Sequence, residues 1–185
     1  MEEDRDIPSS LQEKFLHKIY NNGIKIEELL SRLVLWNKFE SGEATLHPSK
    51  FDLHTLAQEV KNTLQDKYPQ REIVVEGDSC VVDADRTLLE IVLKNVIENA
   101  LKYSKDEVMV KIDAGEVSVT DYGSGISSSD ISKVTKKFYR SGTHTWDNSM
   151  GLGLSIVKKI LELHGTSLEI ESEEEKGSTF SFHIK

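Results

Sequence analysis

Cysteine is almost absent from this chain, proline is scarce, and no apolar run approaches the ~20 residues that span a bilayer. The lone Cys80 excludes an intrachain disulfide, and no cluster of Cys and His has zinc-ligand spacing, which fits a reducing cytoplasm. The acidic start MEEDRD has the wrong sign for a secretory n-region. Basic residues are outnumbered, 23 Lys and Arg against 32 Asp and Glu, and the resulting charge of -9 repels nucleic acid and anionic membranes, so either would need a local basic patch to bind, and nucleic acid is not expected as a partner. No GxxxxGK[ST] segment occurs, which excludes a P-loop protein. What remains is 185 residues with 37% hydrophobic content, enough for one domain of ordinary size with a real core plus an appendage.

The stretch LLEIVLKNVIENALKYS, Leu88 to Ser104, reads as a helix with two unlike faces. At about 100° per residue, Asn95, Asn99 and Lys102 fall within roughly 60° of one another, while Leu89, Val92, Val96 and Ala100 share a different face. Asp85 is suited to cap its start, because a carboxylate accepts from orphaned backbone N–H groups. Two glycine segments follow. In DYGSGIS, Asp121 to Ser127, the glycines Gly123 and Gly125 permit backbone angles and close approaches that a side chain forbids, and Asp121 can accept a hydrogen bond from an exocyclic amine. In MGLGLSIV, Met150 to Val157, the glycines Gly151 and Gly153 lie where a loop turns into a helix, exposing N–H groups and the positive helix end to an anion. Between them, SKVTKKFYRSGTHTWDNS is polar and glycine-punctuated, as a mobile lid would be, and carries Lys133, Lys136, Lys137 and Arg140. Arg140, directly after Phe138 and Tyr139, is the cation expected to touch phosphate.

In this order the three pieces resemble the ATP-binding catalytic domain of bacterial sensor histidine kinases, a branch of the superfamily shared with gyrase, the MutL repair proteins and Hsp90-type chaperones. NVIENALKYS resembles the family's N box, DYGSG and MGLGLS its two glycine boxes, and KKFYR its phenylalanine box. The resemblance covers about Phe51 to the C-terminus. It implies an α+β fold of the Bergerat type, a two-layer α/β sandwich with a mixed sheet and helices on one face, preceded by a long N-terminal helix. It also implies ATP and Mg2+ as cofactors. Asn99 would ligate magnesium, Asn95 and Lys102 would lie beside the phosphates, and Asp121 would read the adenine amino group. The nucleotide site would extend to Tyr103, Gly123, Gly125, Ile126, Phe138, Arg140, Gly151, Leu152, Gly153 and Leu154, with Asn95, Lys102 and Arg140 as the catalytic set.

Ser9 to Phe39 reads as one long helix in which Phe15, Ile19, Asn22, Ile26, Leu29, Leu33 and Trp36 alternate by four and three, a bundle seam that needs a partner. The alternative is a helix folded back on its own domain. NKFESGE resembles the close of the second dimerisation helix in histidine kinases, and Ser41-Gly42 is a suitable stop. The expected organisation is therefore 1–42 for part of a dimerisation and phosphoacceptor domain and 43–185 for the catalytic domain. Glu43 to Lys50 serves as linker, and Asp52 caps a helix to about Lys67. Strands are expected at Glu72 to Val75 and Cys80 to Val82. Two hairpins are expected as well, one turning at Ala114-Gly115 and one pairing Leu168 and Ile170 with Phe180, Phe182 and Ile184.

Asn95 also bears on reaction type. Superfamily ATPases place a glutamate one turn before the magnesium asparagine, and an amide there cannot act as a base at neutral pH, so hydrolysis is expected to be slow. Glu98 points about 100° away from Asn99. Phosphoryl transfer to an external histidine is the surviving expectation, with relay to an aspartate of a response-regulator receiver domain. In the family the acceptor lies in an H box, a histidine followed by an acidic residue and usually a nearby proline, and none is present: His17 is followed by Lys18, and His47, His54, His144, His164 and His183 lack that context too. The acceptor helix hairpin is thus an expected partner, as is a second copy in a full-length homodimer. Met150 before the second glycine box and HGTS in place of HGG depart from the family pattern and bear on lid geometry. The expected setting is cytoplasmic, with inner-membrane anchoring of a longer protein left open. The competing expectations are a hydrolytic ATPase of the same superfamily and an anti-sigma-type serine kinase or plain nucleotide-binding module.

Overall fold

The structure, a computed structural model, describes residues 8–139 and 151–185. Arg140 and the lid residues up to Met150 lie outside the described residues. Chain contacts divide the molecule into two compact units, Met1–Glu43 and Ala44–Lys185.

The first unit is helix α1, Ser9–Glu40. It stops where Ser41 donates its N–H to the Asn37 carbonyl and Gly42 adopts a φ of 72°, the left-handed conformation that favours glycine after a helix. Phe15, Ile19, Ile26 and Leu33 of the seam are exposed along it.

The second unit is built on a five-stranded mixed sheet in the order β2-β4-β5-β7-β6. Its strands are β2 (Ile73–Gly77), β4 (Val108–Asp113), β5 (Glu116–Asp121), β6 (Glu169–Glu173) and β7 (Gly177–His183). Only β2 with β4 is parallel; the other pairs are antiparallel. Period-2 alternation separates the faces. Val110, Val119 and Phe180 lie in one register row and Ile112, Val117 and Phe182 in another, all buried, while Lys111, Ser118 and Ser181 share a row on the other face. The Ala114-Gly115 turn joins β4 to β5 with both residues at positive φ, 47° and 87°.

Helices α2 (Leu53–Lys67), α3 (Arg86–Tyr103) and α5 (Gly153–Leu163) complete the core through Leu56, Leu64, Leu89, Leu93, Val96, Ile97, Ile156 and Ile160. Both expected caps form: Asp52 accepts from the Thr55 N–H at 2.6 Å and Asp85 from the Leu88 N–H at 3.1 Å. A single turn, α4 (Ser128–Ile131), follows the first glycine segment. One expectation needs correction. Part of the stretch assigned to the linker is a strand, β1 (Ser49–Asp52), which pairs antiparallel with β3 (Val81–Ala84) in a separate two-stranded sheet. The pairing is non-local and leaves no periodicity in the segment itself.

Candidate nucleotide-binding site

Helix α3 connects the pieces. Asn95 is buried at 7% exposure, and its Nδ2 donates to the Ile91 carbonyl at 2.7 Å, which turns Oδ1 toward the start of α5. A Cβ placed on Gly153 would lie 2.9 Å from that oxygen, so glycine lets the amide approach the helix end closely. Among the described residues no side chain caps α5, whose first-turn N–H groups and positive end point out of the helix. Ser155 and Ile156 both bond back to the Leu152 carbonyl, tightening the turn. Leu152 itself is 2% exposed: its side chain belongs to the core and only its backbone is left for a ligand. Gly151 has a φ of 66° and accepts from the Phe138 N–H at 3.0 Å. Phe138 is in turn left-handed, with φ 59°, and 62% exposed, a strained conformation for a bulky residue at the edge of the site. Next to it the Tyr139 hydroxyl donates to Asp130; that bond and the one from Lys133 hold the carboxyl below its usual range, while the carboxylate acceptor raises the tyrosine.

One turn further along α3 Asn99 is half-buried, and two turns along Lys102 and Tyr103 are exposed. The Tyr103 carbonyl accepts from the Ser124 N–H at 3.2 Å, which docks the first glycine segment on the helix end. From Asn95 to Tyr103 is about 12 Å along the helix at 1.5 Å per residue, the scale of an extended nucleoside triphosphate. Arg71 braces the same end, donating to the carbonyls of Leu101 at 2.5 Å and Asp106 at 2.8 Å.

In the first segment the glycines make room for the protein's own backbone. A Cβ on Gly123 would overlap the Tyr103 carbonyl, and one on Gly125, at φ 63°, the Glu173 carbonyl. Asp121 is 3% exposed; its carboxylate accepts from the Gly123 N–H at 2.9 Å and from the Ser178 N–H. Burial nonetheless pushes its pKa above the ordinary aspartate value, outweighing both N–H groups. Ile126 gives its N–H to the Ser172 hydroxyl at 2.8 Å. Leu154 is half-buried in the first turn of α5.

Glu98, the other acid on α3, is buried and paired with Lys67 of α2 at 2.8 Å, away from Asn95 and Asn99. His164 is structural: its ring spans the Ile160 carbonyl at 2.8 Å and the Asp85 N–H at 3.2 Å, joining the end of α5 to the start of α3. Ser172 and Ser178 are not among the expected site residues; their signal is serine on both sides of the acidic turn in ESEEEKGS.

Residues 84–185 match the family described as histidine kinase-, DNA gyrase B-, and HSP90-like ATPase. The chain belongs to that family. Within it, similar proteins include the heme sensor protein HssS of Staphylococcus saprophyticus, 28% identical over 94% of this chain and 39% of its own length. Another is the sensor histidine kinase YkoH of Bacillus subtilis, 32% identical over 96% of this chain and 40% of its own length. The chain thus spans about two fifths of either relative. Among solved structures, the mycobacterial sensor histidine kinase MprB superposes with a TM-score of 0.65 at 26% identity, over 75% of this chain and 97% of that one. Full-length ShkA in complex with AMPPNP superposes at 0.78, with 21% identity, over 94% of this chain and 38% of that one, which shows the fold alone. The α+β architecture, with a helix preceding a mixed sheet, is therefore the histidine-kinase ATPase fold.

Proposed function

We propose that this chain is the ATP-binding catalytic part of a two-component sensor histidine kinase, with α1 contributed by its dimerisation and phosphoacceptor domain and residues 43–185 forming the catalytic domain. The observation that carries the reading is one helix, α3, tied at one end to an aspartate-and-glycine loop and in its middle to the glycine-led start of α5. Asp121 accepts from the adenine amino group, and the first turn of α5, with Gly151, Gly153 and the Leu152 and Leu154 backbone, receives phosphate oxygens. Tyr103, Ile126 and Phe138 border the base and sugar, and Lys102 and Arg140 supply positive charge.

No group of three or more His, Cys, Asp or Glu is arranged to hold a metal among the described residues. Magnesium is a hard cation satisfied by one asparagine carbonyl, triphosphate oxygens and water, and Asn99, half-buried one turn beyond Asn95, is the residue to hold it. Magnesium would neutralise phosphate charge. Asn95, its Nδ2 committed to Ile91, offers no base for water, and Glu98 is occupied by Lys67. The reaction supported is transfer of the γ-phosphoryl to a histidine on a partner helix hairpin, for relay to a response-regulator aspartate.

The test supplies an H-box helix hairpin in trans with labelled ATP. Acid-labile label on the hairpin, at a rate well above steady-state ATP hydrolysis, is expected. Rapid hydrolysis with no label on the hairpin would favour the ATPase reading, and label on the chain itself that is lost in His17→Gln would place the acceptor on α1.

A further inference from the structure

The first glycine segment is braced from behind by the β6–β7 hairpin through one hydroxyl. Ser172 Oγ accepts from the Ile126 N–H at 2.8 Å, lies 2.8 Å from the Gly177 carbonyl and 3.0 Å from Ser178 Oγ. A hydroxyl has one proton and two lone pairs. With the proton on Gly177, both lone pairs accept, from Ile126 and from Ser178, and the group is saturated. The sheet register places this row with purpose: Ser172 pairs with Ser178 across β6 and β7, and Ser178 pairs with Asp121 across β7 and β5. The same hairpin touches the segment twice more, where Glu175 donates its N–H to the Ser124 carbonyl at 2.8 Å and where Gly125 meets the Glu173 backbone.

We infer that Ser172 is a positioning residue for base recognition: its hydroxyl holds the loop after Asp121 in the shape that receives the adenine end of the nucleotide. It touches no reacting atom and acts through Ile126 and, by way of Ser178, on the strand that orients the Asp121 carboxylate. The role rests on the nucleotide reading above. Ile126 is the only residue of the segment whose N–H is given to a side chain outside it among the described hydrogen bonds, so removing that acceptor frees the loop at one defined point.

Ser172→Ala and Ser172→Thr, in the whole chain, decide it. Amide exchange without nucleotide should accelerate at Ile126 in the alanine variant. Titration calorimetry should show ATP and ADP weakened by the same factor, about fivefold to tenfold for one lost hydrogen bond, with the preference for ATP over GTP reduced, and threonine should restore both. Equal weakening of ATP and ADP separates a defect at the base end from one at the phosphates. Wild-type chain that binds no nucleotide would overturn the nucleotide reading and this role together. Wild-type binding with unchanged affinity and base preference in the alanine variant, or unchanged exchange at Ile126, would overturn this role alone.

Discussion

The two glycine segments of this site are built in opposite ways. In Asp121–Ser127 each glycine faces another part of the chain: Gly123 the end of α3, Gly125 the β6–β7 turn. The loop is closed on itself before any ligand arrives. In Gly151–Leu154 a glycine at φ 66° leads into a helix that no side chain among the described residues caps, and the nearest described foreign atom to a Cβ on Gly153 is a side-chain oxygen. The contrast suits the two ends of a nucleotide. A base is rigid and read by shape and one acceptor, so a preformed pocket costs least, whereas a triphosphate is flexible and charged, and unpaired N–H groups are what it needs.

The largest effect expected from breaking this contrast is at Gly125. Gly125→Ala must leave a left-handed φ and avoid the Glu173 carbonyl at once, and should cost about 2–4 kcal/mol of stability together with nucleotide binding; chemical denaturation with calorimetry measures both. Asp121→Asn comes next. It should lose about 1–3 kcal/mol of ATP affinity yet keep stability within about 1 kcal/mol at neutral pH, because relief of a buried charge offsets a weakened hydrogen bond.

The sign with pH follows from the same carboxyl. Its pKa is raised on folding, so the native state holds the proton longer: the stabilisation is complete below the unfolded value and is lost as pH rises through the folded one. If Asp121 reads adenine as proposed, binding runs the other way, because the ionised carboxylate is the stronger acceptor, and ATP affinity should fall on acidification at a pH above the ordinary aspartate range. The Asn variant should lack both trends in thermal and calorimetric pH series.

Gly153→Ala should separate the segments cleanly. The added Cβ meets only Asn95 Oδ1, a movable end, and alanine favours a helix, so stability should change by no more than about 1 kcal/mol while ATP binding weakens. The smallest effect belongs to a site remote from both. Asp52, held at a pKa of about 2 by the Ser79 hydroxyl and the Thr55 N–H, caps α2. Asp52→Ala should cost about 1 kcal/mol above the ordinary aspartate range, a difference that disappears as pH falls toward 2, with nucleotide binding untouched.

Much of the fold was legible because its signals are local. The apolar stripe of α3, the caps at Asp52 and Asp85 and the alternation in Val108–Ile112 each declare an element within a few residues. What could not be read depends on partners distant in sequence. The strand Ser49–Asp52 exists because Val81–Ala84 pairs with it, and β2 joins the sheet parallel to β4 across the whole of α3. In the site, the approach of Asn95 to Gly153 and the bond from Ile126 to Ser172 are long-range in the same sense. The glycines of DYGSG were legible as glycines that must be there. That their missing side chains make room for the protein's own carbonyls is a long-range fact, absent from the segment itself.

Residue-resolved amide exchange, with and without Mg-ATP, tests the account most directly. Gly123, Ser124 and Ile126 should exchange slowly before nucleotide is added and change little after, while Gly153 and Leu154 should exchange freely without nucleotide and slow on binding, more with ATP than with ADP. A first segment that exchanges freely and becomes ordered only on binding, or an α5 start indifferent to nucleotide, would contradict it.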